Sequence, residues 1–268
     1  MLKALQARLQ QGYRTVRFPS APPALPDRLR GRPRLEPAKC PPGCAACVEV
    51  CPTDAIESRQ GALRLDLGRC LFCPDCERAC PTGAIRFTTE YRLAVSRREA
   101  LRFDGGELEL ARAQDAQARR LFGRSLKLRQ VSAGGCNACE ADVNALNTVV
   151  FDLGRFGIQF VASPRHADGL LITGPVTRNM RLALLKTWEA VPAPRLVIAV
   201  GACAISGGPF AGHAEQHDGA DGLLPVDLYI PGCPPHPITI LDGLLRLLGR
   251  VEGGADRAIA REPASSAL

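Results

Sequence analysis

Several features that define other protein classes are missing from this chain of 268 residues. No apolar run approaches the roughly 18 residues of a membrane span, and residues 1–18 show neither a signal-peptide core nor twin arginines, so we expect no export. There is no G-x-G-x-x-G fingerprint and no P-loop, which argues against nucleotide or flavin binding. Aromatic residues are scarce, at 5%, but a hydrophobic content of 46% is ample for a packed core of one or two domains.

The positive charge is confined to one end of the chain. The formal net charge is +7, and residues 1–39, with nine basic and two acidic side chains, account for all of it. This composition predicts a basic, partly solvated N-terminal arm that lies over a partner. Nucleic acid, anionic lipid and an acidic neighbouring subunit are the surfaces that such an arm could bind.

Cysteine, in contrast, is abundant: twelve residues fall into three sets of four. In a reducing cytosol, clustered cysteines indicate metal ligands rather than disulfides. Since one [4Fe–4S] cube takes four thiolates, three cubes would use every cysteine. The sets are Cys40, Cys44, Cys47 and Cys51; Cys70, Cys73, Cys76 and Cys80; and Cys136, Cys139, Cys203 and Cys233.

The first two sets lie in an internal repeat, in which CPTDAI at 51–56 returns as CPTGAI at 80–85. The repeat predicts two similar halves, each with a cysteine loop and a short strand pair. The C-x₂-C-x₂-C-x₃-C-P spacing at 70–81 places three thiolates on one cube and the fourth on the other. Because the spacer between Cys40 and Cys44 is one residue longer than usual, whether Cys40 is a ligand stays open.

This region resembles a bacterial two-cluster ferredoxin. The resemblance implies that each cube takes its fourth thiolate from the other half of the repeat. One cube would have the ligands Cys40, Cys44, Cys47 and Cys80, and the other Cys51, Cys70, Cys73 and Cys76. Zinc is the alternative, since closely spaced cysteines also bind zinc; a zinc-stabilised module would use the basic arm on nucleic acid. The crossed repeat with two Cys-Pro pairs argues against it.

After a predicted helix at 107–123, strand-like and helix-like segments alternate as far as residue 251. Such alternation predicts a doubly wound, largely parallel sheet. The third cysteine set follows predicted strands, so all four thiols would lie at the carboxyl ends of the strands, where such sheets bind ligands. Helix N-termini and glycines at that edge would allow the backbone to approach an anionic cluster.

Four motifs carry a second resemblance: GGCNACEADVNAL at 134–146, SPRHADGLLITGPVTRNM at 163–180, IAVGACAISGG at 198–208 and PGCPPHP at 231–237. Residues 125–250 resemble the small subunit of [NiFe] hydrogenases and the 20-kDa subunit of respiratory complex I. The resemblance implies that Cys136, Cys139, Cys203 and Cys233 hold the cube nearest the active site. The complex I subunit has two adjacent cysteines where this chain has Cys136-Asn137-Ala138-Cys139. The match is therefore best with membrane-bound, energy-converting hydrogenases of the formate hydrogenlyase type.

The predicted fold class is α/β, with a ferredoxin-like α+β domain joined to a flavodoxin-like, doubly wound domain. The boundaries that we predict are the basic arm at 1–38, the two-cluster ferredoxin domain at 39–90, a connector at 91–124, the hydrogenase-like domain at 125–251 and a flexible tail at 252–268.

These features predict an electron-transfer subunit without a catalytic residue or nickel site of its own. Its partners would be a [NiFe] hydrogenase-type large subunit, integral-membrane subunits and an external donor or acceptor such as a formate or CO dehydrogenase unit, without nucleic acid. It would lie in the cytoplasm, on the inner face of the membrane. A complex I-like quinone oxidoreductase subunit is the alternative.

Some polar residues near the third set have no single interpretation. Glu140 and Asp142 would shuttle protons, shape a partner surface or complement a helix N-terminus. Arg165 and His166 would face a partner or a quinone-like pocket, or simply lie in a loop. His213 and His217, in a glycine-rich segment, are expected in a surface loop without a ligand role.

Overall fold

The structure, a computed structural model, describes residues 2–59, 62–112, 122 and 125–251. The N-terminal part of these residues forms two small antiparallel sheets. Helix α1 (Leu2–Gln11) comes first. The strands are β1 (Pro33–Leu35), β2 (Ile56–Arg59), β3 (Ala62–Asp66), β4 (Ile85–Phe87) and β5 (Arg102–Phe103). The short helices α2 (Ala46–Glu49) and α3 (Asp75–Ala79) follow the two cysteine loops.

The two halves of the repeat complete their sheets differently. Strand β2 forms a hairpin with β3, which also pairs with β5. Strand β4 instead pairs with β1, which precedes the first cysteine. Leu35 and Ile85 lie opposite each other in that pair and are both buried. The expected strand pair of the second half is thus formed with a segment of the N-terminal arm.

The C-terminal part is built on a five-stranded sheet in which every pairing is parallel. Its strands are β6 (Leu126–Ser132), β7 (Ile158–Phe160), β8 (Gly169–Thr173), β9 (Leu196–Val200) and β10 (Leu228–Ile230), in the order β10-β9-β8-β6-β7. Counted within the sheet this order is 2-1-3-4-5, the flavodoxin-like arrangement. All residues of β8 and β9 are buried, because helices cover both faces of such a sheet. The predicted fold class is confirmed.

Four helices accompany this sheet: α4 (Ala138–Ala145), α5 (Arg178–Ala190), α6 (Ala202–Ser206) and α7 (Pro237–Leu247). Every residue of α7 is buried. Phe18 and Ala94 share its hydrophobic core, although both lie outside the sheet region. Part of the N-terminal arm therefore packs on its own chain, whereas we predicted an arm that lies over a partner.

The helix predicted at 107–123 is wrong for its first part. Residues 107–112 are not helical, since the backbone N–H of Ala111 donates to the carbonyl of Ala94 at 2.7 Å. Ala111 and Leu108 are buried in two different hydrophobic clusters. Long-range packing here overrides helix propensity. The remainder of the predicted helix, apart from Phe122, lies outside the described residues, as does the predicted tail at 252–268.

The two parts of the fold meet over a common core. Val95 and Tyr229 exchange two backbone hydrogen bonds, of 3.0 and 2.9 Å. Ile205 of α6 and Tyr229 of β10 belong to the same hydrophobic cluster as Leu67 of the ferredoxin-like part. This shared core brings the cysteine loops to the carboxyl edge of the parallel sheet.

Candidate iron–sulfur centres

The thiols of the first group lie together. Cys47 is buried on α2, and Cys80 follows α3 directly. Burial raises the pKa of Cys47, and the nearby thiols of Cys40, Cys80 and Cys44 raise it further. Burial likewise raises the pKa of Cys40, followed by the effect of Cys44 and Cys80. The structure therefore brings Cys40 to the group in spite of its longer spacer.

The second group is more deeply buried. Burial raises the pKa of Cys70, and the thiols of Cys76, Cys51 and Cys73 add to the effect. Burial raises the pKa of Cys76 to about 12, with contributions from Cys73 and Cys51. Cys51 and Cys80 have thus exchanged groups relative to the sequence order, as the ferredoxin resemblance implies.

The third group gathers at the carboxyl edge of the parallel sheet, after β6, β9 and β10. Burial raises the pKa of Cys139, and the thiols of Cys203, Cys233 and Cys136 contribute. Burial also raises the pKa of Cys203 to about 12. Cys136 and Cys233 are exposed, so this group opens to the molecular surface on one side.

Electrostatic effects between thiols of different groups indicate how the groups are ordered in space. Cys47 of the first group is among the thiols that raise the pKa of Cys76, after burial and its own neighbours. Cys73 of the second group contributes to the raised pKa of Cys233, after burial and Cys136. The second group therefore lies between the other two.

Backbone N–H groups donate to three of the sulfurs. Ala55 donates to Cys51 at 3.2 Å, Ala84 to Cys80 at 3.2 Å, and Phe72 to Cys70 at 3.3 Å. For Cys80, burial raises the pKa but the backbone donors outweigh it, so that the pKa is lowered overall. Hydrogen bonds of this kind favour the thiolate and tune the potential of a bound cluster.

At two glycines, the backbone lies close to sulfur atoms of the third group. Gly201 has φ +90°, and a Cβ there would lie 2.5 Å from Sγ of Cys139. Gly208 has φ +55°, and its Cβ would lie 2.9 Å from Sγ of Cys203. Only glycine adopts such angles without strain and lets the backbone come so close. The donors, the close backbone and the four-thiol groups fit iron–sulfur cubes.

Within the described residues, no three His, Cys, Asp or Glu side chains surround a single metal-ion position. The four thiolates of a cube bind four different iron atoms, whereas those of a zinc site converge on one ion.

Glu140 has a role that sequence reasoning missed. Its carboxylate is buried and accepts hydrogen bonds from the hydroxyls of Ser132 (2.6 Å) and Thr173 (2.7 Å). These bonds tie α4 to the ends of β6 and β8 beside Cys139. In the sequence, this role could have been inferred from the hydroxyl residues Ser132 and Thr173, which end the predicted strands on either side of Glu140. Burial raises the pKa of Asp142, which lines a cavity of about 260 Å³ together with Cys233 and His236.

Three of the other polar candidates lie at the surface, whereas His217 is half-buried and its Nε2 atom is buried without a hydrogen-bond partner among the described residues. Arg165 and His166 are exposed in a short 3₁₀ helix, Pro164–His166. His213 is exposed, and its Nδ1 accepts from the backbone N–H of Glu215 at 3.2 Å. His217 lies in the same irregular segment.

Comparison with known proteins identifies the family. Residues 136–247 match the model of the NADH ubiquinone oxidoreductase 20 Kd subunit, and residues 39–84 match a 4Fe-4S dicluster domain. The probable membrane-bound hydrogenase subunit mbhJ of Pyrococcus furiosus is 40% identical over 136 residues, which cover 51% of this chain and 81% of that protein. The chain belongs to the 20-kDa subunit family of NADH ubiquinone oxidoreductase. Both resemblances inferred from the sequence are confirmed.

Members of this family belong to different oxidoreductases. Formate hydrogenlyase subunit 7 of Escherichia coli is 48% identical over 129 residues, or 48% of this chain. The match spans 51% of that relative, about half its length. An NADH-quinone oxidoreductase subunit of Heliobacterium modesticaldum is 40% identical over 124 residues, covering 46% of this chain and 71% of that protein. The family and the dicluster domain make this chain an iron–sulfur oxidoreductase subunit.

None of the helices in the described part of the chain is long and apolar enough to cross a bilayer.

Proposed function

We propose that this chain is the electron-transfer subunit of a membrane-associated [NiFe] hydrogenase complex, and that it holds three [4Fe–4S] cubes. The observation that carries the proposal is the gathering of all twelve thiols into three neighbouring groups of four. Each cube, when bound, supplies one site for reversible one-electron transfer. The chain's own residues hold the three sites in a fixed row, with the second group in the middle.

The ligands of each cube would be the members of one group. The first has Cys40, Cys44, Cys47 and Cys80; the second Cys51, Cys70, Cys73 and Cys76; the third Cys136, Cys139, Cys203 and Cys233. Backbone donors from Ala55, Phe72 and Ala84 would stabilise charge on the sulfurs. Burial around the second group would exclude water from the middle of the row.

The third group marks the side on which a nickel-containing large subunit would bind. Cys136 and Cys233 are exposed there, beside the loops 134–140 and 201–208. Because all cysteines of this chain are committed to cubes, the Ni–Fe centre would belong to that partner. At the other end of the row, Cys40 and Cys44 line an open groove, where a formate- or CO-oxidising unit would exchange electrons.

An apolar face on the N-terminal helix would dock on an integral-membrane subunit. Leu2, Leu5 and Leu9 of α1 are 83%, 60% and 86% exposed. Tyr13 and Val149 are also exposed, and Thr15 donates its hydroxyl to the carbonyl of Val149 at 2.7 Å. The basic residues of the arm would favour the negatively charged inner face of the membrane.

Metal analysis of the anaerobically purified complex tests the proposal. We expect about twelve iron atoms per copy of this chain from the three cubes, in addition to the nickel and iron of the partner's Ni–Fe centre. Electron paramagnetic resonance (EPR) of the reduced complex should show interacting [4Fe–4S] signals. Zinc in place of iron, or far fewer irons, would disprove the assignment.

A Cys139→Ser variant of the same complex tests the role of the third group. We expect loss of one cube and of hydrogen-linked turnover, with the signals of the first two groups retained. Full hydrogen-linked turnover in the variant would contradict the proposal that electrons pass between the Ni–Fe centre and the third cube.

A quinone-reducing complex of the complex I type is the second candidate. Its support is the similarity to NADH-quinone oxidoreductase subunits such as that of Heliobacterium modesticaldum. It predicts quinone-dependent activity and a purified complex without nickel. The spacing Cys136-x-x-Cys139 favours the hydrogenase.

A further inference from the structure

The second and third cysteine groups belong to different parts of the fold, and a small junction fixes how these parts meet. The loop 67–70 ends in Cys70, and helix α6 carries Cys203. The hydroxyl of Ser206, at the end of α6, donates to the carbonyl of Gly68 at 2.9 Å. This hydrogen bond joins a point two residues before one thiol to a point three residues after the other.

A largely buried ion pair between Arg98 and Asp66 fixes the position of this loop. The carboxylate of Asp66 accepts two hydrogen bonds from Arg98, of 2.8 and 2.7 Å. It also accepts the backbone N–H of Gly68 at 2.9 Å, while its carbonyl accepts the N–H of Cys70 at 3.1 Å. Because a bidentate pair fixes the orientation of both partners, Arg98 and Asp66 hold the loop in one position.

Gly68 lies close against both α6 and Arg98. A Cβ at Gly68 would lie 2.8 Å from Cγ2 of Ile205 and 2.9 Å from Nη1 of Arg98. Its backbone is outside the left-handed region, so the missing side chain serves the close contact and not a turn. Ile205 is buried on α6 and Arg98 is held by Asp66. An added methyl group would therefore push the loop and the helix apart.

A second tether runs beside this contact. The paired backbone bonds between Val95 and Tyr229 connect the segment that carries Arg98 to strand β10. Tyr229 lies four residues before Cys233, and Arg98 lies three residues after Val95. Both tethers thus end close to ligands proposed for neighbouring cubes.

We propose that Gly68, Ser206 and Arg98 are positioning residues that set the separation between the second and third cubes. This inference rests on the proposed function, because it assumes that both groups hold cubes. The hydrogen bonds of Ser206 and Arg98 described above go to Gly68 and Asp66 and not to a cysteine. The three residues would therefore affect the cubes only by holding the loop and α6 in place. Their substitution should change the coupling between the cubes and leave the cubes themselves in place.

The test is Gly68→Ala in the full complex, with Gly106→Ala as the matched control. Gly106 is exposed, and a Cβ there would meet only Asp104 at 3.5 Å. In the reduced complex, we expect Gly68→Ala to retain the wild-type iron content but to show a weaker magnetic interaction between the second and third cubes in EPR. Turnover should fall severalfold. Gly106→Ala should match the wild type in every measurement.

Ser206→Ala is the second variant. It should disturb the packing less than Gly68→Ala does, since it removes one hydrogen-bond donor and adds no atom. Its control is Ser20→Ala, whose hydroxyl bonds to the carbonyl of Arg17, away from the junction. We expect the magnetic interaction between the second and third cubes to weaken less than in Gly68→Ala. If the Gly68→Ala complex fails to assemble, the result for Ser206→Ala decides whether the junction has a positioning role.

An unchanged magnetic interaction in the loaded variants would overturn the positioning role. A wild-type complex without three cubes would overturn the proposed function instead.

Discussion

His236 caps helix α7 through its ring: Nδ1 accepts a hydrogen bond from the backbone N–H of Ile238 at 3.2 Å. The ring packs edge-on against Phe151, with centroids 6.3 Å apart. Since Nδ1 accepts a hydrogen bond here, it carries no proton, and the cap requires the neutral imidazole. The loop that presents the exposed Cys233 therefore continues into a helix whose first turn depends on an uncharged histidine.

This cap predicts a loss of stability in mild acid. Burial lowers the pKa of His236 below its ordinary value of 6.5. A histidine with a lowered pKa in the folded state stabilises the fold above its unfolded pKa, and this contribution is lost as the pH falls through the folded value. We expect the unfolding midpoint in urea to fall between pH 7.5 and pH 5.5. His236→Asn, which keeps a side-chain cap but does not titrate, should reduce this fall. An equal fall in both proteins would contradict the assignment.

Gly31 should not tolerate a side chain. Its backbone N–H donates to the carbonyl of Thr88 at 2.6 Å, and a Cβ would lie 2.1 Å from the carbonyl oxygen of Glu90. We expect Gly31→Ala to lower the free energy of unfolding by about 3 kcal/mol, as overpacking does. Gly222→Ala, where a Cβ meets nothing within 4 Å, should change it by less than about 0.5 kcal/mol. Equal urea midpoints would contradict this prediction.

The ion pair inside α7 should behave as a unit. Nε of Arg246 lies 2.7 Å from Oδ2 of Asp242, and both residues are buried. Asp242→Leu alone leaves a buried guanidinium without this partner, and we expect a cost of about 3–5 kcal/mol. The double variant Asp242→Leu/Arg246→Leu should cost much less. A double-mutant cycle measured by urea unfolding checks this, and additive costs would argue against coupling.

Cys40 should be a cluster ligand in spite of the longer spacer before Cys44. We expect Cys40→Ser to lower the iron content by up to about four atoms per chain, with the EPR signals of the other two cubes retained. Ser58→Ala, at the edge of the same groove, is the control and should retain all its iron. Wild-type iron in Cys40→Ser would remove this residue from the ligand set.

The leucines of α1 should matter for membrane attachment and little for folding. No residue of α1 is buried, so Leu2, Leu5 and Leu9 can be changed together to glutamine with no loss of core packing. We expect the variant complex to leave the membrane fraction at lower salt than the wild type. Leu182→Gln, at a site 65% exposed on α5, should not change attachment. Unchanged attachment of the triple variant would disprove the docking role.

Local patterns in the sequence were sufficient for much of the fold. The apolar runs at 169–173 and 196–200 formed buried parallel strands, because such runs can only be covered by helices on both faces. The spacing at 70–81 predicted that Cys80 serves the other cluster, and the ferredoxin resemblance implied the crossed grouping of Cys51 and Cys80. The cysteine spacing alone therefore indicated the kind of centre.

Contacts between distant segments decided the rest. The pairing of β1 with β4, the burial of Phe18 against α7 and the extended course of 107–112 all depend on partners far away in the chain. The central place of the second thiol group depends on how the loop that carries Cys73 packs against the segment that carries Cys233. Sequence spacing determines which thiols share a loop, whereas only the packing of the loops against the sheet determines how the groups line up.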